Sequence, residues 1–244
     1  MKAKSTVEDI RRRFDREVER FSNLETGQKA TIDAPLTMDL ITAAAVACNP
    51  DARVTLDIGC GAGNNTLKLM GRFRSLGLNF DVIQYDLLDL SQPMLDRATE
   101  RLRAEGAIEI RTIQADFRQV DLVPGHYDII LAAAVLHHLR ADADWETAFQ
   151  RIFRLLAPGG SFWITDLVAH EGAAASRMMW ERYGDFLARS GGEEYRDQVF
   201  AYIKQEDSPR SLTYQLDLMR RTGFVEIDVL HKNSCFAAFG GRKV

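Results

Sequence analysis

The 244-residue chain predicts an α/β protein, a doubly wound sheet with added helices, and three observations predict it. Val54 to Ile58 reads as a short buried strand that runs into Gly59-Cys60-Gly61-Ala62-Gly63 and then a helical stretch. Alternate glycines there permit a turn closed to residues with side chains. From that point to Leu167, apolar runs of strand length alternate with amphipathic runs of helix length, the rhythm of a parallel sheet covered on both faces. The chain ends in two strand-like runs joined by Lys232-Asn233, an expected antiparallel hairpin.

Val7, Ile10, Phe14, Val18 and Phe21 recur at three- and four-residue intervals, which predicts a helix over 7–21. Arg11-Arg12-Arg13 is then a solvated face of that helix rather than a nucleic-acid patch. A linker over 22–35 leads to a second helix over 36–48, and Asn49-Pro50-Asp51 turns the chain into the first strand. After the glycine turn, Asn64-Asn65-Thr66 can cap a helix running to about Leu76, with Leu67, Met70 and Phe73 towards the sheet. The second strand is expected over 80–88, a helix capped by Ser91 over 93–105, and the third strand over 108–114. The nearly all-apolar run 128–136 suits a central strand buried on both faces. A helix over 144–156 ends at Pro158-Gly159-Gly160, and the fifth strand follows over 161–167. Residues 168–209 break the rhythm with a helical insertion rich in Met and aromatic residues, divided at Gly191-Gly192. A helix over 212–222 precedes strands over 224–231 and 234–240.

Composition narrows the function classes. The length suits one domain with an appendage. A net charge of −4 argues against a broad nucleic-acid surface. Cys48, Cys60 and Cys235 have neither disulfide nor zinc-ligand spacing, so a reduced, cytoplasmic protein is expected. No apolar run approaches the roughly 20 residues that span a bilayer, and Met1-Lys-Ala-Lys lacks the apolar run of a signal peptide.

Strand, glycine turn and helix N-terminus together make a nucleotide-cofactor site. A dinucleotide fingerprint wants Gly or Ala where Asn64 stands, and Asp57 would face a pyrophosphate badly but suit an ammonium group. Asp57-Ile-Gly59-Cys60-Gly61-Ala62-Gly63, Asp89-Leu90-Ser-Gln-Pro-Met94-Leu and Ala115-Asp116-Phe117 together resemble the class I S-adenosylmethionine (SAM)-dependent methyltransferases. The resemblance covers about 54–167. It implies a Rossmann-like sheet of seven strands in the order 3-2-1-4-5-7-6, with strand 7 antiparallel. It also implies an N-terminal helical cap (1–50) before a methyltransferase domain (51–244); the insertion, 168–209, directly follows a strand at the ligand edge, where a lid belongs, although its Met and aromatic stripe equally suits core packing. SAM is the implied cofactor and S-adenosylhomocysteine its product. Asp57, Gly59, Cys60, Gly61 and Gly63 would form the cofactor turn, and Asp89 would accept from the ribose hydroxyls, with Asp86 a solvated or supporting group. Leu90 and Met94 would flank the adenine, though Met94 also suits core packing. Asp116 would accept from the adenine amino group and the Phe117 N–H meet a ring nitrogen; Asp116 as a helix cap is the alternative. The backbone near Ala133 would touch the methionine part.

Methyl transfer from a sulfonium needs chiefly positioning and exclusion of water. A base is required only where the acceptor must lose a proton; His137, His138, His170, Asp166 and Tyr183 are the candidates. Asp166, at the ligand end of the fifth strand, is the leading one for a substrate contact. His137 and His138 adjoin in sequence and are expected to point apart, which favours structural roles over a base or a metal site, so no metal is expected. The chain lacks the Asn/Asp-Pro-Pro-aromatic motif of amino-directed nucleic-acid methyltransferases, which argues against methylation of a nucleic-acid base; the expected acceptor is a small, partly apolar molecule gathered under the lid. A homodimer is admitted but not specified. A second resemblance, carried by Phe14-Asp15, Val18, Phe21-Ser-Asn, the insertion and Gly223-Phe224, is to the carboxy-SAM synthases of tRNA wobble-uridine modification. It implies prephenate as co-substrate and an arginine in the insertion that holds the added carboxylate; Arg196 is the nearest basic residue to the expected place. That family has Ser where Gly61 stands. A catalytically silent SAM-binding protein is the third reading.

Overall fold

A computed structural model describes residues 4–244, apart from the side chains of Leu24 and Glu25. Seven strands form one sheet in the order β3-β2-β1-β4-β5-β7-β6. They are β1 Val54–Ile58, β2 Gln84–Asp89, β3 Glu109–Gln114, β4 Tyr127–Ala133, β5 Leu156–Leu167, β6 Val225–Asn233 and β7 Phe236–Arg242. β1 to β5 pair in parallel, and β7 runs antiparallel to both β5 and β6, so the expected order and hairpin are found. The helices are α1 Val7–Phe14, α2 Val18–Ser22, α3 Leu24–Gly27, α4 Ala34–Cys48, α5 Asn64–Ser75, α6 Gln92–Ala104, α7 Asp142–Leu155, α8 Ala173–Glu206 and α9 Leu212–Thr222.

The pleat divides the core into two layers. Ile41 and Val46 of α4, Leu69 and Phe73 of α5 and Leu95 and Leu102 of α6 pack with Tyr85, Leu87, Ile129 and Leu131 on one face. Trp145, Phe149 and Ile152 of α7 and Leu218 and Met219 of α9 pack with Leu56, Ile58, Ile130 and Phe162 on the other. With strands parallel and both faces covered, all their C-terminal ends open on one edge. That edge carries the site.

Several expected boundaries move, each for a local reason. The helix over 7–21 is two helices, because the chain turns at Asp15-Arg16. The linker holds the short α3, and the following helix starts two residues early at Ala34, where Pro35 sits in its first turn. β2 begins at Gln84 because Phe80 to Val82 form a turn, with Ile83 N–H bonded back to the Phe80 carbonyl. β4 ends at Ala133: Ala134 has φ +52 and its N–H donates to the Thr165 carbonyl. Pro158-Gly159-Gly160 lies inside β5 rather than before it, and the β4–β5 register shifts between Tyr127 and Ile129. In α5, Leu69 rather than Leu67 is fully buried beside Met70 and Phe73. α8 bends at Gly192, where φ is +87 and ψ 172. Among the described residues no helix is long and apolar enough to cross a membrane.

Candidate active site

The three glycines after β1 all have positive φ, +67 at Gly59, +50 at Gly61 and +81 at Gly63, and each meets a different need. A Cβ on Gly59 would lie 2.7 Å from the Val135 side chain, so this glycine lets the turn nest against the end of β4. One on Gly63 would lie 2.9 Å from Leu102, so here the glycine brings α5 against α6. At Gly61 nothing lies within 4 Å, because its Cβ direction opens into a cavity. Gly63 itself occupies the N-cap of α5 and no side chain caps the helix, contrary to the expected Asn-Asn-Thr cap. Asn64 Nδ2 instead donates to the Phe21 carbonyl (2.8 Å), and the Thr66 hydroxyl donates to Asp57 Oδ2 (2.7 Å).

The cavity, about 930 Å³, runs from this turn along the C-terminal ends of β1, β2, β4 and β5. α1, α2 and α4 and the second half of α8 wall its other side. Gly59, Cys60, Gly61, Asp89, Leu90, Met94, Asp116, Phe117 and Ala133 line it. Asp57 and Gly63 do not; they stand behind the wall and shape the turn. Asp57 is 3% exposed with Oδ1 unpaired, and burial pushes its carboxyl up to about 7. Asp89 accepts from the N–H of Gly61 and of Ser91 (2.9 Å each), and burial raises its pKa. Asp86 is not solvated: it is fully buried and accepts from the Tyr127 hydroxyl (2.8 Å) and Gln84 Nε2 (2.8 Å). Asp116 accepts from the guanidinium and N–H of Arg118, which hold its carboxyl below the usual range against the opposing effect of burial.

The same cavity is lined by Phe14, Phe21, Met38, Tyr183, Tyr195, Tyr202 and Phe236, an apolar and largely aromatic compartment. One end is ionic. Leu136 to His138 form a 3₁₀ turn, and its tight winding brings the two imidazoles to 4.2 Å between ring centres instead of pointing them apart. Asp166 Oδ2 accepts from the Leu136 N–H (2.8 Å), and Oδ1 pairs with His137 Nδ1. Asp207, the C-cap of α8, approaches both rings, at 3.7 Å from His137 Nε2 and 3.2 Å from His138 Nδ1. Against burial, which pushes it down, the Asp166 and Asp207 carboxylates raise the His137 imidazole to about 9; burial and the His137 charge lower His138.

The other candidate bases fall apart. His170 does not line the cavity; its Nε2 lies against the Ser234 carbonyl and Lys232. Tyr183 lines it, but its hydroxyl donates to the Ala30 carbonyl (2.8 Å), and burial raises its pKa. Arg196 lies outside the cavity wall and pairs with Asp197 (2.9 Å). Sequence reasoning missed Asp207, and also Arg13 and Tyr202, whose guanidinium and ring stack at 4.8 Å on the wall. The only signal for Asp207 was an acid closing a helical run, common at any helix end.

Residues 55–160 match the family model described as a methyltransferase domain. The chain is 27% identical over 177 residues to the demethylmenaquinone methyltransferase of Lactococcus lactis subsp. lactis, covering 71% of this chain and 66% of that one. It is 24% identical over 185 residues to a carboxy-S-adenosyl-L-methionine synthase of Nautilia profundicola, covering 75% and 74%. The chain thus spans just under two thirds of the first relative, and only 6% of a matched fungal polyketide synthase of Gibberella zeae. In fold it matches the Burkholderia thailandensis 1,6-didemethyltoxoflavin-N1-methyltransferase with bound 1,6-didemethyltoxoflavin and S-adenosylhomocysteine. The TM-score is 0.63 at 18% identity, over 100% of this chain and 93% of that one.

Proposed function

We propose that the chain is a class I SAM-dependent methyltransferase with SAM as its cofactor, and that its acceptor is a small, partly apolar molecule held under α8. The carrying observation is the continuity of one cavity from the glycine turn to the aromatic compartment. Its first part suits SAM: the open Cβ direction at Gly61 leaves backbone facing a ligand, Asp89 offers carboxylate oxygens at a strand end, and Asp116 and Phe117 line the same cavity, which supports them as the adenine contacts. When bound, SAM supplies an electrophilic methyl group on a sulfonium.

The chain's own part is to orient the acceptor and exclude water. The aromatic side chains of Phe14, Tyr195, Tyr202 and Phe236 on the wall suit an acceptor with apolar, ring-like surface, under residues of α1 and α8. Where the acceptor carries a proton to be lost, the end formed by His137, His138 and Asp166 is the polar chemistry available. The cavity's restricted, part-apolar walls and the net negative chain support a small molecule over a nucleic acid, and three unpaired cysteines support a reducing, cytoplasmic setting.

The test is acceptor-dependent formation of S-adenosylhomocysteine against a panel of small phenols, enols and amines. Turnover with none of them, despite SAM binding, would return the silent SAM-binding reading. The carboxy-SAM synthase reading has a relative in its favour, but the arginine it calls for is absent from the cavity face of α8 among the described residues. Incubation with prephenate separates the two: a cofactor heavier by one carboxylate would replace the methyltransferase proposal.

A further inference from the structure

We propose that His137, His138 and Asp207 form a binding site for one divalent transition-metal ion, of the zinc or cobalt kind, in the cavity wall. The three candidate ligand atoms lie within 4.8 Å of one another. His137 Nε2 is 3.7 Å and His138 Nδ1 3.2 Å from the same oxygen, Asp207 Oδ1. Bonds of about 2.0–2.2 Å to a shared ion would set neighbouring ligand atoms roughly 3–3.5 Å apart, so small side-chain adjustments suffice.

Two further observations point to a ligand. Asp207 Oδ1 and His138 Nδ1 are buried and make no hydrogen bond, although they face each other; the Asp207 side chain is only 4% exposed. Two such atoms held close without hydrogen-bond geometry are placed as two donors to one ion would be. Asp166 meanwhile pairs with Nδ1 of His137, which turns Nε2 of that ring towards Asp207, the outer-carboxylate arrangement that metal-bound histidines use; a metal ion bound there displaces the Nε2 proton. Asp166 and Asp207 are two buried carboxylates beside two imidazoles, and Lys4 is engaged by the Asp207 carbonyl and the Ser208 hydroxyl. Two imidazole nitrogens and one carboxylate oxygen suit zinc, cobalt or nickel rather than magnesium or calcium. Three protein ligands leave a position open to the cavity, where a cation would polarise an acceptor oxygen or nitrogen.

The inference goes beyond the proposed methyl transfer and is read without acceptor. Untagged, chelator-stripped protein is titrated with Co²⁺ and Zn²⁺, with calorimetry for stoichiometry and visible absorption for the cobalt ligand field. One equivalent should bind at micromolar affinity or tighter, with no thiolate charge-transfer band. Asp207→Asn and His138→Gln should each weaken it at least 30-fold. Absence of a one-equivalent endpoint, a thiolate band implicating the cysteines, or unchanged affinity in both variants overturns the proposal. If the variants fold poorly, the wild-type Tm decides: stoichiometric Zn²⁺ should raise it, and an unchanged Tm counts against the site. Calorimetry with SAM keeps the two readings apart, since protein that binds SAM and no cation retains the methyltransferase reading and loses this one.

Discussion

Asp86 and Asp89 sit three residues apart on one short strand and have opposite fates, because successive side chains on a strand leave by opposite faces and only the last one reaches the open edge. Asp89→Ala should weaken SAM binding, measured by calorimetry, by on the order of 2–3 kcal/mol through loss of charge-assisted acceptors. Asp86→Ala should leave the affinity of folded protein nearly unchanged but lower its stability by roughly 1–3 kcal/mol, since the Tyr127 hydroxyl loses its buried acceptor. A second pair of measurements concerns Asp57. Its carboxyl sits at about 7 in the fold against 3.8 when exposed. Below about pH 4 both states hold the proton and no penalty arises; as pH rises towards 7 the unfolded chain ionises first and the fold loses stability. The loss is complete above about pH 7 and is on the order of 4 kcal/mol as an upper bound. Denaturant midpoints at pH 5 and pH 8 should therefore diverge in the ligand-free wild type and converge in Asp57→Asn.

At the scale of elements, what the sequence discloses is whatever a short window can hold. The glycine turn, the strand–helix alternation and the bend at Gly192 each depend on neighbours in the chain, and each is legible. The start of β2 and the end of β4 are not, because Val82 before the one and Val135-Leu136 after the other extend the apolar pattern past the strand. The histidine pair misleads for a related reason: the side-chain directions of strand and α-helix do not hold in a 3₁₀ turn. Asp207 is hidden altogether, being 70 residues beyond the turn it approaches and recognisable only once α8 has folded over the sheet. α8 is fastened to the opposite wall by Tyr183, whose hydroxyl meets the Ala30 carbonyl. Tyr183→Phe should cost about 1 kcal/mol of stability and speed amide exchange over 28–33 in hydrogen-exchange mass spectrometry. Unchanged protection there would mean that packing with Phe200 and Phe236, not this bond, holds the element.

For the molecule as a whole, the sheet edge supplies one half of the cavity, and segments far apart in sequence supply the other. Removal of residues 1–22 should spare the seven-stranded sheet, leave SAM binding measurable, and abolish acceptor turnover by opening the apolar compartment to water. Loss of the cooperative melt in that variant would show instead that α1 and α2 are part of the core. The N-terminal wall is closed by contacts of very long range: the Ser5 hydroxyl donates to Glu206 Oε1 across 201 residues, and Arg140 reaches the Ser5 carbonyl. During synthesis the first of these partners leaves the ribosome long before the last exists, an interval of about 10–40 s at roughly 5–20 residues per second. Ile10, Phe14 and Phe21 must wait through it without their final neighbours, so this stretch is where a nascent chain offers chaperones a foothold, and the pocket is sealed only after translation has passed α8.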